Sequence, residues 1–286
     1  MTQPMIGVQM MMLKAKVEEN GVYETMRQLA KQGFRAVEVS QIPMTAENVA
    51  ALKQASEDFD IKIAALSAAV EPMIPNMPGE TLEQDFDKIV ADCKTLNCTY
   101  LRVGMLPLAA MRSKESVLAF IEKAEQFAKR LATEGIHFYY HNHHLEFQKF
   151  DGEYLLHIIR DHTEVLGFEL DVHWIHRGGL DPVEVIEAFN GRVGLIHLKD
   201  YRIGKMDESH LESFNPATFF PAFFNTIEFA ELGQGSLNLR AIIEAGKKSG
   251  TEYLLIEQDD VYGRDPFTCL EESANHLRAL GYSELF

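Results

Sequence analysis

Cysteine is scarce in this chain, and so are basic residues and unbroken hydrophobic runs. The three cysteines, Cys93, Cys98 and Cys269, are odd in number and lack metal-ligand spacing. They make no disulfide framework, which points to a reducing compartment. Lysine and arginine together number 27 against 43 aspartates and glutamates, for a net charge of −16. That balance excludes a nucleic-acid backbone or an anionic membrane as partner, because both are bound through basic faces. A small anion held in a local basic pocket remains compatible with it. No apolar run approaches the ~20 residues that span a bilayer. The opening Met1-Thr2-Gln3-Pro4 lacks the basic-then-apolar pattern of a secretory signal. The expectation is a soluble, cytoplasmic protein.

Linkers, low-complexity tracts and a composition break are also missing, so the 286 residues read as one large domain. Short β-branched or aromatic runs alternate eight times with longer amphipathic ones. The strands are expected at Ile6–Met11, Ala36–Ser40, Lys62–Ser67, Tyr100–Val103, Ile136–His141, Gly167–His173, Val193–Lys199 and Tyr253–Gln258. The helices are expected at Val22–Lys31, Ala46–Asp58, Leu82–Leu96, Lys114–Thr133, Gly152–Arg160, Pro182–Phe189, Leu239–Lys248 and Pro266–Leu280. Thr45 and Asp181 (before Pro182) are N-cap candidates. Strict alternation implies parallel strands with right-handed crossovers. Eight units favour closure into a single-domain (β/α)8 TIM barrel over an open doubly wound sheet. No glycine-rich dinucleotide fingerprint follows the first strand, which weighs further against the open sheet. A long connection, Tyr201–Ala230, follows the seventh strand and carries six phenylalanines (214, 219, 220, 223, 224 and 229). It is either a lid over the barrel mouth or a subunit contact, and a homo-oligomer is compatible with it.

Polar residues gather at the C-terminal ends of the strands, which form the active face of such a barrel. Alternation along a strand puts Glu169, Asp171 and His173 on one face, and pairs His197 with Lys199, Glu257 with Asp259, and His141 with His143. Strands five to eight therefore each deliver a carboxylate or imidazole to one rim. Mixed oxygen and nitrogen donors suit Mn²⁺, Mg²⁺, Co²⁺ or Zn²⁺, and burying several acids without a cation is costly. A lone strand-end acid is ordinarily a cap or a surface group; four consecutive strands are harder to read that way.

The segments His141-Asn142-His143-His144-Leu145-Glu146-Phe147, Glu169-Leu170-Asp171-Val172-His173-Trp174, Ile196-His197-Leu198-Lys199-Asp200 and Ile256-Glu257-Gln258-Asp259 resemble motifs of the xylose isomerase-like TIM-barrel superfamily. Glu231-Leu232-Gly233-Gln234-Gly235 resembles its E-x-G-x-G segment. The resemblance covers nearly the whole chain and implies one divalent metal, manganese first, with magnesium, cobalt or zinc as alternatives. It implies Asp171, His197 and Glu257 as ligands, with a glutamate from the fifth-strand region as the fourth. The fifth strand carries Tyr139-Tyr140-His141 where family epimerases have that glutamate, so the assignment falls on Glu146, with His143 or His141 as replacement.

The chemistry this set suggests is proton transfer beside a metal-bound carbonyl, through an enediolate. Glu146 and Glu257 are the expected acid–base pair, with His143 as an alternative base. Lys199 is read either as a hold on a substrate hydroxyl or phosphate or as an ion-pair partner of Asp200 or a rim carboxylate. His141, His173, Trp174 and Glu38 are candidate substrate contacts; packing and ion pairing are the plain readings of Trp174 and Glu38, and Arg102 shares the second. His137, His157 and His162 read as structural, and Met10-Met11-Met12 as part of the mouth wall. The leading function is a metal-dependent isomerase or epimerase of a small sugar or sugar phosphate. Its competitors are a dehydratase or lyase of a keto-sugar or keto-cyclitol, a DNA-directed relative disfavoured by the charge, and an inactive sugar-binding barrel.

Overall fold

The computed structural model describes residues 3–75, 77–209 and 214–286. Eight parallel strands close on themselves: β1 (Met5–Gln9), β2 (Ala36–Val39), β3 (Lys62–Ser67), β4 (Tyr100–Val103), β5 (His137–His141), β6 (Gly167–Asp171), β7 (Val193–Leu198) and β8 (Tyr253–Ile256), with β8 pairing back to β1. The helices are α1 (Lys14–Lys31), α2 (Ala46–Phe59), α3 (Leu82–Thr95), α4 (Lys114–Thr133), α5 (Leu155–Asp161), α6 (Val172–Arg177), α7 (Pro182–Ala188), α8 (Pro216–Phe224), α9 (Leu239–Ser249) and α10 (Pro266–Ala279). This is a single-domain (β/α)8 TIM barrel, as the alternation of short and long runs predicts. None of the described helices is long and apolar enough to cross a membrane.

The expected caps form. Thr45 accepts the Asn48 amide at the start of α2, and Asp181 accepts the amides of Val183 and Glu184 ahead of α7. The outward face of each strand is aliphatic or aromatic. Val37, Val39, Leu101, Phe138, Tyr140, Phe168, Leu170, Ile196, Leu198 and Leu254 all lie in the main core between barrel and helices.

Three local expectations are corrected. Extended structure on the sixth strand ends at Asp171, not His173, because the Asp171 carboxylate caps α6 by accepting the Trp174 amide. The helix expected from Gly152 begins at Leu155, behind a small hairpin pairing Lys149–Phe150 with Glu153–Tyr154. Asp151 and Gly152 turn that hairpin with φ of 52° and 87°, the left-handed pair a two-residue turn needs. The first helix starts earlier than Val22, at Lys14, and is broken at Gly21, whose φ of 81° a side chain disfavours.

The long connection after β7 is ordered at its base. Asp200–Ile203 pairs antiparallel with Ile227–Ala230, and α8 stands beyond the hairpin with none of its residues buried. Residues 210–213 of this connection lie outside the described residues.

Candidate functional site

Each strand sends alternate side chains into the barrel, and the uppermost of these are polar. Gln9 on β1 and Glu38 on β2 are register partners, as are His141 on β5 with Glu169 on β6, and Asp171 on β6 with His197 on β7. Lys199 and Glu257 follow at the ends of β7 and β8. All of these side chains are buried. His141, Asp171, His197 and Glu257 each turn a ligating atom to a common region, with the four atoms within 4.8 Å of one another. A second group, Glu38, Glu169 and His197, satisfies the same limit and shares His197 with the first.

His197 sits at the hinge between the two groups. Its Nε2 lies 2.9 Å from Glu38 Oε2 and 3.1 Å from Glu169 Oε1, while Nδ1 faces Glu257 Oε2 at 2.8 Å and Asp171 Oδ2 at 3.9 Å. Arg102 from β4 lies 2.7 Å from Glu38 and 3.3 Å from Glu169. Lys199 approaches Asp259 at 2.6 Å, Glu257 at 3.1 Å and Asp171 at 3.4 Å. Gln9 donates to the other oxygen of Glu257 at 2.9 Å. Asn142 bonds both the amide and the carbonyl of Asp171, tying the end of β5 to the end of β6.

Five carboxyl groups (Glu38, Glu169, Asp171, Glu257 and Asp259) thus face two permanent cations, Arg102 and Lys199. The surplus shows in the titration of the groups. Burial and the Glu38 charge push Glu169 up to about 8, and burial pushes Asp171 up to about 7 against the pull of Lys199. Burial opposes ionisation of Glu38 as well, yet Arg102 and His197 hold it down at about 2. Burial opposes a charge on His197, but Glu169, Glu257 and Glu38 together raise it well above its usual range. Protons therefore make up positive charge that the side chains lack.

The donor set fits a divalent cation. His197 Nδ1 comes within 2.8 Å of a carboxylate oxygen yet makes no hydrogen bond, and His141 Nδ1 has no hydrogen-bond partner either. His141 Nδ1 lies 3.4 Å from Glu169 Oε2, and one nitrogen of each ring lies within 4.8 Å of the Asp171 and Glu257 carboxylates. The contact of His197 Nε2 with Glu38 is the carboxylate–histidine arrangement that orients a metal-binding imidazole.

The structure does not bring Glu146 into this set. Its carboxylate accepts the Tyr140 hydroxyl at 2.6 Å and the His143 amide at 2.7 Å, inside the turn His144–Phe147. His141 is the fourth residue of the group instead. His143 lines the cavity with Nδ1 unpartnered, and burial followed by the Lys199 charge lowers it to about 4. His173, two residues past the strand, is fully buried among Trp174, Tyr201 and Phe229, with ring centroids 4.5 to 5.0 Å away. Its partners are aromatic side chains, not the cavity. Trp174 packs against His143, His144 and Phe229 and lies 5.1 Å beneath Lys199 Nζ. Glu38 contacts His197 and Arg102 rather than the open mouth. Gln9 and Asn142 belong to the network although the sequence reading gave them no role; Gln9 had the same signal as the others, a polar residue at an inward strand end.

A cavity of about 530 Å³ opens over this group, and its lining includes Glu257, Asp259, His141 and His143 as well as Met11, Met73 and Met105. It lies at the C-terminal ends of the strands, where barrel sites form.

A family model described as xylose isomerase-like TIM barrel matches residues 26–280. The chain belongs to that family. Members of known structure share the whole fold at low identity. A sugar phosphate isomerase/epimerase from Parabacteroides distasonis superposes with a TM-score of 0.75 at 20% identity, over 96% of this chain and 97% of that one. A probable 3-DHS dehydratase of petrobactin synthesis from Bacillus anthracis gives 0.66 at 14%, over 97% and 99%. The IOLI protein with a bound zinc atom gives 0.65 at 16%, over 99% of each chain. None of the curated proteins matches the chain by sequence. Within the family barrel, the E-x-G-x-G segment of this chain serves Asp200, whose carboxylate accepts the amides of Gly233, Ser236 and Leu237. A Cβ at Gly235 would meet Asp200 Oδ1 at 2.2 Å, so the second glycine of the motif is required by that carboxylate.

Proposed function

We propose that the chain is a divalent-metal-dependent isomerase or epimerase of a small sugar, holding its metal with His141, Asp171, His197 and Glu257. The observation that carries this reading is the convergence of those four donors under one cavity, lined also by His143, at the C-terminal end of the barrel. A bound cation supplies a Lewis acid that polarises a substrate carbonyl. The side chains supply the rest. Glu257 stays ionised despite burial because Lys199 and His197 adjoin it, so it is a competent base for the proton on the neighbouring carbon. His143, neutral at physiological pH, lines the same cavity and can hold or return a proton. Gln9 and Lys199 fix the Glu257 carboxylate, and Glu38 fixes the ring of His197. The isomerase/epimerase among the similar structures supports the reaction class, and the bound zinc of another supports the cation.

A dehydratase is the second reading, favoured by one further group. Burial raises the Asp259 carboxyl, which lines the same cavity and can give a proton to a departing hydroxyl. One of the similar structures is that of a probable dehydratase.

The test uses protein stripped of metal and reloaded with Mn²⁺, incubated with a panel of ketoses, aldoses and keto-sugars in deuterated water. Metal-dependent deuterium uptake without loss of water is the expected result. An ultraviolet-absorbing enone in place of simple exchange selects the dehydratase. Exchange and elimination both absent, with and without metal, would sink the catalytic reading.

A further inference from the structure

Resting on the metal-centred sugar site just proposed, the cavity geometry also bears on which sugars fit, and we infer that the substrate is an unphosphorylated sugar carrying an apolar substituent. Three observations lead there. The first is the supply of positive charge. Among the described residues lining the cavity, Arg102 is the only lysine or arginine, and it is 5% exposed and engaged by Glu38 and Glu169. Lys199 stands beside the site but is 1% exposed and faces three carboxylates. Neither has charge to offer a phosphate dianion. In the groove that continues outward past Pro78, Lys88 is tied to Glu80 and Asp92, and Lys14 lies outside the cavity proper.

The second observation is that the backbone anion cradle is filled. In barrels of this type phosphate is commonly held by main-chain amides after the seventh and eighth strands. Here the amides of Gly233, Ser236 and Leu237, in the segment leading to α9, converge on a carboxylate of the chain itself, Asp200. Asp200 is fully buried, and a second anion cannot share those donors.

The third is the apolar part of the cavity lining. Met11, Met73, Met77 and Met105 line the cavity together with Pro72 and Pro78. Thioether side chains are unbranched and polarisable, and they adapt well to flat or irregular apolar groups, aromatic rings above all. At about 530 Å³ the space has the size of a drug-sized ligand site, more than one sugar ring fills. The polar end takes the ring hydroxyls and carbonyl; the methionine end takes an aryl or alkyl group attached to the sugar.

The test measures binding to Mn²⁺-loaded full-length protein by calorimetry, using phenyl and methyl glycosides of several pyranoses and the 6-phosphates of the parent sugars. The same ligands are titrated without metal, so the order of affinities is read even if the ion fails to bind. Failure of the ion alone counts against the proposed metal centre, not against this inference. The expected result is that the phenyl glycoside of at least one sugar binds roughly tenfold or more tighter than its methyl counterpart, with the 6-phosphate no tighter than the free sugar. Met73→Ala and Met105→Ala should each lower the ratio of phenyl to methyl glycoside affinity, and Met105→Leu should keep it. A 6-phosphate that binds about tenfold tighter than its parent sugar, or phenyl and methyl glycosides that bind alike, overturns the inference. So does the absence of any phenyl glycoside binding at about 10 mM.

Discussion

The floor and the mouth of this barrel are built from the same inward positions of the same strands, yet they solve different problems. Below, the interior is filled by shape. Tyr139 occupies the space that a Cβ on Gly167 or Gly194 would enter, the first 2.4 Å from its ring and the second 2.4 Å from its hydroxyl, and its ring packs 5.2 Å from that of Tyr100. Leu195 and Ala65 close the gaps around them. Two residues further along each strand the aromatic and aliphatic groups give way to Arg102, His141, Glu169, His197 and Glu257. The floor is complete in itself, whereas the mouth holds more negative charge than its own cations offset. Packing stabilises one layer, and protons held on Glu169, Asp171 and His197 offset the charge of the other.

Removing a donor from the mouth should have the largest effect on function and little on the fold. Asp171→Asn and Glu257→Gln are each expected to lower Mn²⁺ affinity and turnover by about a thousandfold or more, near 4 kcal/mol. Urea melts of metal-free Asp171→Asn should show stability equal to or above that of the parent, because a buried carboxyl whose ionisation burial opposes is gone. A large loss of metal-free stability would erase the contrast between the layers.

The reverse is expected of the floor. Tyr139→Ala leaves a void between two glycines that have no side chains to fill it, and should cost about 3–5 kcal/mol in denaturant melts. The Mn²⁺ affinity of the folded fraction should stay within about twofold of the parent. Loss of metal binding in folded protein would mean that the two layers are not separable.

Acidity sharpens the comparison further. Asp171 and Glu169, held at about 7 and about 8, keep protons that the unfolded chain releases near pH 4. The stability tied to those protons is complete below about pH 4 and is lost as pH rises through their folded values. His141, His143 and His173 are lowered, chiefly by burial, and act in the opposite sense, but only below about pH 6.5, where the unfolded chain takes up their protons. The melting temperature of metal-free protein should therefore fall between about pH 7 and 8.5, and saturating Mn²⁺ should flatten that fall. A metal-free melting curve that does not move with pH would contradict the charge surplus.

A smaller effect is expected of Glu38→Gln. Glu38 touches His197 Nε2 rather than the cavity, and its loss should weaken Mn²⁺ binding about 10- to 100-fold while leaving the KM for sugar nearly constant. A change confined to KM would instead make Glu38 a substrate contact.

The barrel was legible in the sequence because its two periods do not overlap: strands of four to six residues, buried on both faces, alternate with longer amphipathic helices. The inward parity of Glu169, Asp171, His197, Lys199 and Glu257 followed from the same alternation. What escaped was set by loops. Glu146, in the loop beyond the fifth strand, is the nearest acid for the fourth ligand that the resemblance implies, but its partners are a phenol from the outward face of β5 and an amide inside its own turn, contacts that no spacing reveals. His173 reads as the next inward residue after Asp171, but the Asp171 side chain caps a helix there and ends the alternation. The Asp151-Gly152 hairpin did carry a sequence signal, the turn dipeptide itself, which the helical pattern beyond it obscured. The filling of the E-x-G-x-G amides by Asp200 is a tertiary fact, since 33 residues separate Asp200 from Gly233.

The central claim is that one divalent ion is held by two imidazoles and two carboxylates at the mouth, and pulsed electron paramagnetic resonance of the Mn²⁺-loaded protein tests it most directly. Two histidine nitrogen couplings are predicted in the parent, one in His141→Ala, and two still in Glu146→Gln. A spectrum without nitrogen coupling, or one that changes with Glu146 and not with His141, would contradict the account.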